Sequence, residues 1–143
     1  VRIAIENCMG NIAYRPDVWE RMFQITPSKN MGLNFDPSHL VFQFIDYIAL
    51  ARKFGERIYY THCKDTEILT WKLNYIGYTG DGWWRFRIPG LGDIDWKRFI
   101  STLQDQKYDY VLSIEHEDPL YHGVEGFKEG LIIGRRHLAQ FLP

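Results

Sequence analysis

Four short runs of β-branched and aromatic residues alternate with four stretches of helical periodicity, and this alternation constrains the chain more than any other feature. Residues 2–6 (Arg-Ile-Ala-Ile-Glu) read as a strand. Arg15-Pro16-Asp17 opens a helix with proline in its first turn, and Val18, Met22 and Ile25 share one face before Thr26-Pro27 ends it. Met31 to Phe35 is the second strand. Phe44, Ile48, Ala51 and Phe54 follow a 3.6-residue period from about Gln43, and Gly55 terminates that run. Arg57 to His62 is the third strand. A long segment without clear periodicity, Thr66 to Asp93, comes next. Asp95 caps a helix over Trp96–Gln106, Tyr110 to Glu115 is the fourth strand, and the last helix spans about Glu125 to Phe141. A strand–helix pattern repeated four times predicts a parallel sheet, because parallel neighbours need a crossover of helical length. An open doubly wound sheet and a (β/α)8 barrel both satisfy it.

The residue that ends each strand carries the chemistry. The four runs lead into Glu6, Asp36, His62 and Glu115. In a parallel sheet all strand C-termini lie at one end, where βα folds of both kinds build their sites. Three carboxylates and one imidazole suit a divalent cation (Mn²⁺, Mg²⁺, Co²⁺ or Fe²⁺) better than a thiolate-rich structural zinc. Any one of these residues alone reads equally well as a solvated strand end or a helix cap. Four in succession favour a shared site.

Other polar residues carry weaker signals. His39, in Asp-Pro-Ser-His, reads as a second ligand, a substrate contact or a histidine in water. Asp65 orients a ligand or pairs with Lys64. Glu117 and Asp118 read as a solvated acidic turn, His116 and His122 as weak candidates, and His137 as a surface residue. Trp83-Trp84-Arg85-Phe86-Arg87 is a dense aromatic and basic cluster that stacks on a base or a sugar, or meets another subunit. Gly90-Leu-Gly92 is too short for a phosphate loop.

Composition narrows the classes. At 143 residues the chain is a single domain, 1–143, and 45% hydrophobic residues exclude a disordered one. A net charge of -1 argues against a nucleic-acid grip. No apolar run reaches the roughly 18 residues of a membrane span. Cys8 and Cys63 are too few for a disulfide framework and fit free thiols in the cytoplasm.

Ile-Glu-Asn, Leu-Asn-Phe-Asp-Pro-Ser-His, Thr-His-Cys-Lys-Asp, Pro-Gly-Leu-Gly-Asp-Ile-Asp-Trp and Ser-Ile-Glu-His-Glu-Asp together resemble the second half of the xylose isomerase-like TIM barrels. That superfamily includes sugar phosphate isomerases and epimerases, ketose 3-epimerases, inosose dehydratases and the endonuclease IV type of repair enzyme. The resemblance implies the last four βα units of a (β/α)8 barrel. It implies one divalent ion (Mn, Mg, Co, Fe or Zn) held by Glu6, Asp36, His62 and Glu115. The two glutamates would be the acid/base pair, with His39, Arg87 or Arg85, and Trp84 facing substrate. A full barrel takes about 250 residues, so the other half is expected from a longer polypeptide or a second chain, and a homo-oligomer is a further way to cover the open edges. The Asp-x-His pair that the repair enzymes carry before the glycine turn is missing; Trp84-Arg85-Phe86-Arg87 stands there, and DNA repair drops out.

The expected activity is proton transfer on a sugar or sugar phosphate through an enediolate, as an isomerase or epimerase. The alternatives are a dehydratase or lyase on a keto-sugar or inosose, within a hetero-complex in one version, and a non-catalytic carbohydrate-binding relative. The segment 66–93 is expected to fold over the site, with its aromatics on substrate or a neighbouring subunit.

Overall fold

The computed structural model describes residues 1–142. Four parallel strands, β1 (Ile3–Glu6), β2 (Met31–Phe35), β3 (Ile58–Cys63) and β6 (Leu112–Ile114), form one sheet in the order β1-β2-β3-β6. That sequential order decides between the two open architectures. A doubly wound sheet reverses its order at a switch point, whereas consecutive neighbours are what a barrel requires. Among the described residues β1 and β6 each pair on one side only, as the strands bounding part of a barrel do.

The helices α1 (Pro16–Ile25), α3 (Tyr47–Phe54), α5 (Trp96–Asp105) and α6 (Gly123–Ala139) cover one face of the sheet. Trp19, Ala51, Phe54, Phe99, Leu103 and Leu138 from these helices join Leu33, Phe35, Ile58 and Cys63 from the strands in one buried cluster. Phe99 stacks on Phe35 at 5.7 Å, and Trp19 meets the edges of Phe35 and Phe54. Period-2 alternation then turns the intervening residues to the other face, where Arg2, Ala4, Asn34 and Tyr60 line an open groove. No helix among the described residues is long and apolar enough to cross a membrane.

One expectation needs correction. The helical run from Gln43 does not include Phe44. A short helix α2 (Ser38–Val41) comes first, Phe44 takes a left-handed conformation (φ 56°), and α3 starts only after Asp46, whose carboxylate accepts the Ala49 N–H at 2.9 Å. Gly55 does end α3 as expected, but without a left-handed turn. It stays right-handed and leads into a short 3-10 turn; a Cβ there would sit 2.6 Å from Gln106 Cγ, so the glycine permits close packing.

The segment 66–93 is ordered rather than irregular. β4 (Asp65–Ile68) and β5 (Trp84–Arg87) form an antiparallel ribbon, with α4 (Thr70–Ile76) between them. Glu67 on one strand pairs with Arg85 and Arg87 on the other. The ribbon is rooted by Asp65, a wholly buried carboxylate. It accepts from the backbone N–H of Thr66 (2.8 Å), Gly90 (2.9 Å) and Ile94 (3.1 Å), and from Trp96 Nε1 (2.8 Å). The Gly90-Leu-Gly92 turn wraps this carboxylate so closely that a Cβ on Gly92 would lie 2.4 Å from Asp65 Oδ1.

Candidate metal centre

Parallel strands bring their C-terminal residues together. β1 ends in Glu6, Asp36 follows β2, His62 is the penultimate residue of β3 and Glu115 follows β6. One donor atom from each lies within 4.8 Å of all the others. His62 Nδ1 sits between the glutamates, 2.9 Å from Glu6 Oε1 and 3.2 Å from Glu115 Oε2. The backbone of Asp36 is clasped by Asn7, whose Nδ2 donates to Asp36 O and whose Oδ1 accepts the Asp36 N–H, both at 2.8 Å. The Ser38 N–H donates to Asp36 Oδ1 at 2.8 Å, while Oδ2 is buried and accepts no hydrogen bond. A buried carboxylate oxygen that accepts no hydrogen bond, with the Lys64 ammonium no nearer than 3.3 Å, is costly. A cation at this point relieves it, so the donor set fits a divalent ion.

The charges are strongly coupled. Hydrogen bonds to Glu115 and Glu6 pull the His62 imidazole up to about 10 despite its burial. The same contact with His62, helped by Lys64, holds Glu115 down at about 2, and His62 lowers Glu6 as well. Burial pushes Asp36 up to about 7 although Lys64 lies 3.3 Å from Oδ2. An ion can bind Nδ1 only after its proton leaves, so these directions fix a pH dependence. Between about pH 7 and 10 each bound ion should expel about one proton, from His62; below about 7 a second comes from Asp36. Affinity therefore falls as pH falls, about tenfold per unit above pH 7 and more steeply below it. Titration calorimetry with Mn²⁺ in two buffers of different ionisation enthalpy should count about one proton at pH 8.5 and approach two at pH 6. Equal counts near zero would contradict the geometry.

Comparison with known proteins identifies the fold family. The family model described as "Xylose isomerase-like TIM barrel" matches residues 1–137. The chain belongs to that family. It is 30% identical over 127 residues to the uncharacterised YfiH protein of Bacillus subtilis, covering 82% of this chain and 40% of that protein. It is 27% identical over 126 residues to an inosose dehydratase of Clostridium perfringens, covering 83% and 42%. Its fold resembles the crystal structure of IolI protein with a bound zinc atom (TM-score 0.74, 22% identity, 99% of this chain and 49% of that one). The chain thus spans about half the length of these relatives.

Within this partial xylose isomerase-like barrel the remaining candidates fall at different distances from the four strand ends. His39 stands beside them, Nε2 3.5 Å from Asp36 Oδ2 and 3.8 Å from Glu6 Oε1. Burial and the neighbouring Lys64 lower its pKa to about 4, so it is a neutral imidazole at pH 7. The ribbon forms a wall on this side. Phe86 meets His39 edge-on at 5.3 Å, and Trp84 lies beyond it, 5.0 Å from Phe86 and stacked on Phe42 at 3.9 Å. Trp83 is packed away, stacked on Phe44 with Nε1 donating to Tyr78 O. Arg87 spends Nε on Asp118 (2.8 Å) and Nη1 on Glu67; no hydrogen bond or ion pair among the described residues joins it to the four groups. It braces the ribbon against the segment after β6.

Asp65 does not pair with Lys64, and Asp118 is no solvated turn. Asp118 is 3% exposed and accepts from Arg87, the Ile88 N–H and the Leu120 N–H. His116, just after Glu115, packs its ring on Phe127 at 4.4 Å, and His137 packs against Phe141 at 5.3 Å. Cys8 and Cys63 are free. The residue that sequence reasoning passed over is Lys64, whose ammonium reaches Glu115, Glu117 and Asp36. Burial alone would depress it, but those three carboxylates raise it above the usual lysine value. The signal available was parity: residues 62 and 64 leave a strand on the same side.

Proposed function

We propose that this chain forms the metal-binding half of an isomerase or epimerase active site, which moves a proton next to the carbonyl of a sugar or sugar phosphate. The observation that carries the reading is that Glu6 and Glu115, from the first and last strands of the sheet, both reach His62 Nδ1, at 2.9 and 3.2 Å. Glu6, Asp36, His62 and Glu115 would hold one divalent ion. When bound, the ion supplies Lewis-acid polarisation of the carbonyl and stabilises the enediolate that forms when the neighbouring C–H is lost.

The chain's own groups do the rest. Glu6, which lacks a hydrogen bond to Lys64, is the stronger base of the pair and takes the proton. Glu115 lies across the planar enediolate and returns one from the other face. His39, neutral and enclosed beside Asp36, faces the substrate, and Phe86 and Trp84 form an apolar wall that limits water. Closing an eight-stranded barrel takes four further strands against β1 and β6, from the same polypeptide or a second one.

The test uses the intact protein in deuterated water with a panel of ketoses, ketose phosphates and inososes. Product should carry solvent deuterium next to the carbonyl. Glu6→Gln and Glu115→Gln should each lower epimerisation by about 10²-fold or more at equal metal content, and Glu115→Gln should keep exchange through Glu6. Full epimerisation in either variant would remove the two-glutamate mechanism. Dehydration is a second reading, favoured by the likeness to inosose dehydratase. The same enediolate then expels a hydroxyl at the next carbon, and the product is lighter by one water.

A further inference from the structure

Lys64 is a lysine the proposed proton transfer does not use, and its side chain is only 2% exposed. The ammonium donates to Glu115 Oε2 at 2.6 Å and to Glu117 Oε2 at 2.7 Å. It stands 3.4 Å from His39 Nε2 and 3.3 Å from Asp36 Oδ2, and lies 4.5 Å from the centre of the Phe86 ring. A lysine has three N–H donors. Two go to glutamates and the third faces the neutral His39 ring, so no donor remains for a substrate. Whatever Lys64 does, it does through the groups it holds.

Glu115 is the most affected of these. Its Oε2, which faces His62 Nδ1 at 3.2 Å, also accepts from Nζ, so the two carboxylate oxygens are not equivalent toward an ion. Asp36 is arranged alike, with Oδ1 held by the Ser38 N–H and Oδ2 left over. One donor atom from each of the four residues lies within 4.8 Å of the others, and we take each as a one-atom ligand. An ion of octahedral preference has six positions, and four single-atom donors leave two. Two open positions are what an ion needs to hold a carbonyl oxygen and its neighbouring hydroxyl oxygen together. A chelating Glu115 would remove one of them.

We propose that Lys64 is a positioning residue that keeps Glu115 a one-oxygen ligand, leaving two positions on the ion open for two substrate oxygens. The inference rests on the metal-dependent reading above and adds the reason for a buried ammonium among the ligands, where a cation would otherwise repel the ion. It separates two roles for Lys64. A residue that only supports the fold would, when lost, loosen the ion and leave its hydration unchanged. A residue that restrains Glu115 would, when lost, let the ion bind as tightly or more so while giving up a water.

The experiment counts water on Mn²⁺ bound to the intact protein, from the broadening of its electron paramagnetic resonance lines in ¹⁷O-enriched water. Two waters are expected in the wild type. Lys64→Met should bind Mn²⁺ at least as tightly and carry one. Two waters in Lys64→Met, or weaker Mn²⁺ binding with an unchanged count, would overturn the inference while leaving the metal-dependent reading intact. Should Lys64→Met fail to fold, the same count on Lys64→Gln decides: one water supports the inference and two overturn it. A wild type that binds no Mn²⁺ would overturn the metal-dependent reading and this inference with it.

Discussion

Asp36→Asn is expected to weaken divalent-ion binding by more than the roughly 10–100-fold that losing a group behind a metal ligand costs. The substitution keeps the shape of the side chain and an oxygen for the Ser38 N–H. It also keeps the Asn7 clasp, which grips the backbone of residue 36. What it removes is the negative charge at a wholly buried oxygen that accepts no hydrogen bond. Stability of the metal-free protein should change little or rise, because the carboxylate is already pushed up to about 7 by burial. Near neutral pH, much of its charge is therefore missing before any substitution. The two effects separate in one experiment: competition with a fluorescent chelator for affinity, and a urea melt without metal for stability. Unchanged affinity would remove Asp36 from the donor set.

Asp65→Ala should be the most damaging single change to stability that leaves all four donors in place. The carboxylate gathers four donors from three stretches of chain, at residues 66, 90, 94 and 96. Each buried donor left unsatisfied costs about 1–3 kcal/mol. Removing the buried charge returns part of that, since burial raises the Asp65 pKa even against those four bonds. A net loss of about 3 kcal/mol or more is expected, a large share of the roughly 5–15 kcal/mol that holds a domain together. Asp65→Asn, which keeps one acceptor oxygen, should lose about half as much. Urea melts at pH 7 measure both, and a midpoint shift under about 0.5 kcal/mol for Asp65→Ala would refute the anchoring role.

Which parts of this molecule were readable from sequence follows from how local each signal is. The four donor positions were readable because each is a strand end, and strand direction and parity are set within five or six residues. Helix α5 was readable for the same reason: Asp95 caps it locally, accepting the Arg98 N–H at 2.9 Å. Phe44 misled because its spacing of four from Ile48 satisfies the helical period, while the Asp46 cap between them ends that register. The ribbon was hidden because Asp65 pairs with Arg87 and Ile68 with Trp84, across an intervening helix. No single-window period links such partners. Lys64 was passed over because its carboxylates lie 51 and 53 residues away, a proximity only the parallel sheet creates. The choice between barrel and doubly wound sheet rested on strand order, which is likewise a property of the assembled sheet.

Four successive strand ends of this xylose isomerase-like barrel are proposed to converge on one divalent ion. Anomalous diffraction from crystals of the intact protein equilibrated with Mn²⁺ tests this most directly. One strong peak is expected at the C-terminal end of the sheet, with oxygen or nitrogen atoms of Glu6, Asp36, His62 and Glu115 at about 2.0–2.3 Å. A peak ligated by other residues, or a crystal with no ordered ion at saturating Mn²⁺, would contradict it.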